Sequence, residues 1–69
     1  MRIFATRLTE LRKEKGLSKL SLSKILEVDD ASVGRWETAS SDITSDNLIK
    51  LAKFFDTSTD YLLGLSDDY

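Results

Sequence analysis

The segment Asp30-Ala31-Ser32-Val33-Gly34-Arg35-Trp36-Glu37 sets one cation, Arg35, among small and acidic side chains. A guanidinium carries a planar fork of donors that fits guanine O6 and N7, or the oxygens of one phosphate. A solvated surface arginine is the plainer alternative. Ala31 and Ser32 are small enough for a base edge or a thymine methyl to come close. Asp30 can accept from cytosine N4, but phosphates repel a carboxylate, and it reads more simply as a charge at a helix start. Ser18 and Lys19 open an earlier segment, where free N–H groups and an ammonium together suit a phosphate. Thr38 and Ser40 offer hydroxyls to phosphates or are ordinary loop residues. Lys13 and Lys15 supply long-range attraction or simply end a helix in solvent.

Other chemistries are excluded by composition. The 69 residues include no cysteine and no histidine. Disulfides, thiolate metal sites and histidine bases therefore drop out, no metal or cofactor is expected, and no nucleophile–base pair is visible. The chain reads as a binding protein and not as an enzyme. Its net charge of −2 is unusual for a binder of nucleic acid. The distribution is more telling than the sum. Residues 1–26 hold seven cations against two acids, whereas residues 27–69 hold three against ten. Such a chain can show phosphates a positive face and keep an acidic back. No apolar run is long enough for a membrane span or a secretory signal, so a cytoplasmic location is expected.

The elements that must position these groups are short helices. Phe4, Leu8 and Leu11 recur at helical spacing, and Gly16 stops that helix after a basic cluster. Ser18 caps a second helix with Leu22, Ile25 and Leu26 as its buried stripe. Glu27-Val28 connects to a third, capped by Asp29, with Val33 and Trp36 turned inward. Trp36 could stack on a single strand, but its place beside Val33 reads as core. Gly34, inside this helix, implies either close backbone approach to a ligand or tight packing of the second helix, the commoner cause. Thr38–Asp42 is a loop. Leu48, Leu51, Ala52 and Phe55 mark a fourth helix, and Ser58 caps a short fifth that Gly64 stops. The expected helices span about 3–15, 18–26, 29–37, 44–55 and 58–63, in one domain over 1–69. Tyr61, Leu62, Leu63 and Leu65 form an apolar group that closes the core or supplies a dimer seam, and the tail Ser66–Tyr69 is expected to fray. Leu20 and Phe54 look surplus to the stripes and would mark a partner surface if exposed.

Read in order, Leu8-x-x-Leu11-Arg12-x-x-x-Gly16-Leu17-Ser18, Leu22-x-x-x-Leu26-x-Val28, Val33-x-x-Trp36-Glu37, Leu48-x-x-Leu51-Ala52-x-x-Phe55 and Asp60-Tyr61-Leu62-Leu63-Gly64 resemble the Cro and phage-repressor helix-turn-helix family, also called the xenobiotic-response-element family. The likeness runs from Phe4 to Gly64. It implies an all-α, lambda-repressor-like DNA-binding domain, a five-helix bundle whose helices 2 and 3 form the helix-turn-helix. It further implies a homodimer on a palindromic operator in double-stranded DNA, with the third helix in the major groove. It also implies an Arg12–Glu37 pair between the first and third helices, which would cost about 3–5 kcal/mol to break from one side if buried. The chain departs from the family pattern at Lys19, where glutamine is usual, and at Glu27, where glycine is usual. Its loop Thr38–Asp42 has no cation, which weakens a phosphate clamp.

The expected function is transcriptional regulation, as a repressor that occupies a promoter. The acidic back and the cation-free loop keep a second reading open, a protein-interaction module of the same fold such as an antitoxin or antirepressor.

Overall fold

Phe4, Ala5, Leu8, Leu11 and Arg12 turn one face of the first helix inward, and that face organises the rest of the chain. The computed structural model describes residues 2–68. They form five helices, α1 (Arg2–Glu14), α2 (Lys19–Leu26), α3 (Ser32–Glu37), α4 (Ser45–Phe54) and α5 (Thr59–Leu63). Helix α1 packs on α3 and α5, α2 on α3 and α4, and α4 on α5. The shared core is Phe4, Leu8, Leu11, Leu22, Leu26, Val33, Trp36, Leu51, Ala52, Phe55 and Leu62. Every helix contributes, so no helix of this length needs to be stable by itself. Among the described residues no helix is long and apolar enough to cross a membrane.

Helix starts follow local chemistry in three cases. Ser18, Thr44 and Ser58 have extended backbones, and their side chains accept from the N–H groups of Ser21, Asn47 and Tyr61. Each satisfies one donor that a helix start leaves without a partner. Helix α3 is the exception. It begins at Ser32, three residues after the expected Asp29, and Ala31 precedes it without a side-chain cap. Asp29 instead accepts the Ser32 N–H through its backbone carbonyl at 2.9 Å.

All five helices end alike. A residue in the left-handed region follows each helix, and the next N–H reaches back to a carbonyl in its last turns: Leu17 to Arg12, Val28 to Ser23, Ser40 to Arg35, Thr57 to Ala52 and Leu65 to Asp60. This closure satisfies carbonyls that the helix ends leave open. Only Gly16 and Gly64 fill the left-handed position with glycine; Glu27, Ala39 and Asp56 hold it at φ 60°, 57° and 52°. Gly64 is required twice over. Its φ is +81°, and a Cβ there would meet Ile3 Cγ2 at 2.8 Å.

One sequence expectation is corrected here. Ile25, assigned to the buried stripe of the second helix, is 47% exposed. Its stripe is Leu22, Ser23 and Leu26. Of the C-terminal apolar group, Leu62 alone is fully buried and closes the core, whereas Leu65 is 75% exposed, as the dimer-seam alternative requires of a residue outside the core. Arg7 reaches the tail as far as Asp67, whose side chain is fully exposed. Arg7 Nη1 donates to the carbonyls of Tyr61 and, at 2.8 Å, Ser66; Nη2 lies 3.0 Å from Asp67 Oδ1. The same guanidinium stacks 4.2 Å from the centre of the Tyr61 ring. Tyr69 lies outside the described residues.

Candidate nucleic-acid interface

The inner side of α3 is fixed by three kinds of contact. Val33 and Trp36 are buried in the core. Glu37 receives two hydrogen bonds from Arg12, Nε to Oε2 at 2.6 Å and Nη2 to Oε1 at 3.0 Å. Arg12 Nη1 also donates to the Leu17 carbonyl at 2.8 Å, so the pair ties α1, the turn before α2, and α3 together. Both side chains are nearly inaccessible, at 10% and 5%. The bond to Glu37 holds the Arg12 pKa above its usual value, although burial opposes the shift. Forked, short and buried, this contact has the geometry of a strong charge-assisted pair.

The third contact is Ser23, a residue that patterning did not single out. Its side chain is fully buried, and its Oγ accepts the Val33 N–H at 3.4 Å. It serves the first turn of α3 from the body of α2, which replaces the missing local cap. The available signal was its spacing, because Ser23 lies three residues before buried Leu26 on the inward face.

The outer side of α3 carries the candidates. Ala31 and Arg35 are exposed and lie one helical turn apart, with Ser32 half-buried beside them. Among the described residues the Arg35 guanidinium has no ion pair or side-chain hydrogen bond. Asp30 is exposed and lies 3.7 Å from Lys24 Nζ. That contact, which both partners make in solvent, suits a charge balanced at the helix start more than a group aimed at a base.

Lys19 lies against α3 from the start of α2. A Cβ placed on Gly34 would stand 3.8 Å from Lys19 Cδ, in ordinary contact. Tight helix packing, the commoner reason for such a glycine, therefore does not require Gly34. Ser18 is exposed, but its hydroxyl is already engaged: it accepts from the Ser21 N–H at 3.0 Å and donates to Ser21 Oγ at 2.9 Å. Thr38 and Ser40 are similarly committed. Thr38 Oγ1 reaches the Gly34 carbonyl at 3.0 Å and lies 2.7 Å from Ser40 Oγ. If Thr38 gives its proton to Gly34, Ser40 gives its own to Thr38, and neither hydroxyl donates outward.

The positive charge of the first 26 residues is thus only partly free to attract an anion. Arg12 is buried, Arg7 reaches Asp67, and Lys24 faces Asp30. Arg2, Lys13 and Lys19 remain exposed without an ion pair among the described residues. Lys15 lies over the Phe54 ring, 5.5 Å from its centre. Among the described residues no group of histidine, cysteine or carboxylate side chains could hold a metal ion.

Known proteins share this fold. The helix-turn-helix family model matches residues 8–62. The uncharacterised HTH-type transcriptional regulator YobD of Bacillus subtilis (strain 168) is 36% identical over 66 residues, which are 96% of this chain and 59% of that protein. The chain therefore spans little more than half the length of that relative. Among solved structures, the P22 c2 repressor, in complex with a synthetic operator, superposes with a TM-score of 0.81 at 26% identity, over 90% of this chain and 94% of the repressor. The restriction-modification controller protein C.AhdI of Aeromonas hydrophila gives 0.79 at 34% identity, over 88% of this chain and 92% of that one. These matches are regulators, not enzymes.

Proposed function

The chain belongs to the helix-turn-helix family of transcriptional regulators, and on that premise we propose that it binds double-stranded DNA with sequence specificity. One observation carries this reading. Helix α3 is held to the scaffold by Val33, Trp36 and Glu37, and its opposite side leaves open to solvent Ala31 and Arg35, which has no ion pair among the described residues. A rigid helix with one uncommitted guanidinium among small side chains can enter a major groove and fork onto a guanine edge. Lys19 and the start of α2 then meet a phosphate beside it. Regulation follows from occupancy: a cytoplasmic homodimer on a palindromic operator covers a promoter and represses it. Half-sites about one helical turn apart fit such a dimer.

Selection from random duplex DNA tests the proposal. The expected product is one palindromic sequence, whose binding weakens steeply as salt rises. Failure to enrich any sequence, even at low salt, would leave the second reading in possession. That reading, a protein-interaction module such as an antitoxin or antirepressor, is favoured by the Thr38–Asp42 loop. It holds no cation, and its hydroxyls at Thr38 and Ser40 already bond each other.

A further inference from the structure

A shallow groove runs between α2 and α4, lined by Ile25, Leu26, Glu27, Lys50, Lys53 and Phe54. Ile25 lies about 120° round α2 from Lys19, at 100° per residue, so the groove opens on a different side from the candidate DNA contacts. Its floor is apolar, made by exposed Ile25 and half-buried Phe54. Its rim is cationic. Lys50 and Lys53 are the only basic residues after Arg35, and both stand here. Lys15 adds a third ammonium over the Phe54 ring. Lys50 donates to the Leu26 carbonyl at 3.1 Å and so fixes the rim to the end of α2. Glu27 is the single acid in the lining.

The clustering runs against the local charge, because residues 27–69 carry ten acids. We propose that this groove docks an acidic amphipathic segment of a protein partner. The segment sets its apolar side chains on Ile25 and Phe54 and its carboxylates near Lys53 and Lys15. An amphipathic helix laid in a groove is a common mode of peptide recognition, and charge complementarity selects the acidic kind. A nucleic acid would leave the apolar floor unused. The proposal does not depend on DNA binding, and the two surfaces can be occupied together.

The test uses the full chain, labelled with ¹⁵N, and a synthetic peptide of about four helical turns with leucine and phenylalanine on one face and glutamate on the other. A second peptide carries lysine for every glutamate. The expected result is saturable shifts confined to the end of α2, to α4 and to Lys15, with the glutamate peptide only. The variants Ile25→Ser and Lys53→Glu change exposed side chains, so both should keep the helical circular-dichroism signal and weaken binding roughly fivefold or more. Absence of saturable shifts, equal binding of the lysine peptide, shifts centred on α3, or unchanged affinity in both variants would overturn the proposal. So would concentration-dependent self-association that Ile25→Ser abolishes, because a second copy would then be the occupant.

Discussion

Removing Glu37 by substitution with alanine should be among the most damaging single changes in this chain. The variant leaves the Arg12 guanidinium in a site that is nearly closed to water, with the Leu17 carbonyl as its remaining partner. Breaking a buried pair from one side costs about 3–5 kcal/mol, because a charge is stranded without compensation. A domain of 69 residues has only about 3.5–10 kcal/mol to lose, at ~0.05–0.15 kcal/mol per residue. Glu37→Ala should therefore remove between a third and all of the stability. Trp36, the sole tryptophan, is buried beside the pair, so its fluorescence in a urea titration reports the loss directly. The pH direction is also set. The folded pKa of Arg12 is raised, so its contribution is complete below the ordinary arginine value and fades only as pH rises through the higher folded value. No loss from this group is expected in the alkaline range where proteins are usually handled. The combined variant Arg12→Met with Glu37→Leu removes both charges and should recover most of the loss, since apolar replacement of a whole buried pair is often neutral or stabilising. A cost below about 1 kcal/mol for Glu37→Ala, or a double variant no better than the single, would refute the argument that the stranded charge dominates.

Three further outcomes follow from backbone geometry and charge. Glu27→Gly and Ala39→Gly relieve left-handed conformations and should each raise stability by about 1 kcal/mol, a melting shift of roughly 4–8 °C. Gly34→Ala has room beside Lys19 Cδ and should gain up to about 1 kcal/mol of helix propensity in urea titration. If that stabler variant loses affinity for its operator, close approach of the α3 backbone to DNA explains the glycine. Lys19→Ala should lower the slope of log affinity against log salt by about one unit, if the lysine neutralises one phosphate.

Much of this architecture can be read from local patterns, and the failures share a cause. Ser18 and Gly16 announce a helix start and a helix end because caps work within a few residues. Asp29 looks equally like a cap, yet α3 starts at Ser32. The donor at Val33 is satisfied by Ser23, ten residues earlier on another helix, and no local pattern reports a tertiary partner. Ile25 looks buried because a helix of eight residues with apolar positions 20, 22, 25 and 26 does not define one face. Packing chose Leu22 and Leu26, and Ile25 was left on the flank beside α4. At the candidate interface, residue type pointed to Arg35, and exposure leaves it uncommitted. The sequence could not show that the hydroxyls of Ser18, Thr38 and Ser40 are already spent within the fold.

The claim that α3 reads DNA rests most directly on Arg35. Titration of the selected duplex with the natural chain and with Arg35→Ala, at one fixed salt concentration, tests it. Affinity should fall by about 1–3 kcal/mol, roughly 5- to 150-fold, and discrimination should relax at one base pair if the guanidinium forks onto a guanine. Unchanged affinity and unchanged base preference would contradict the account.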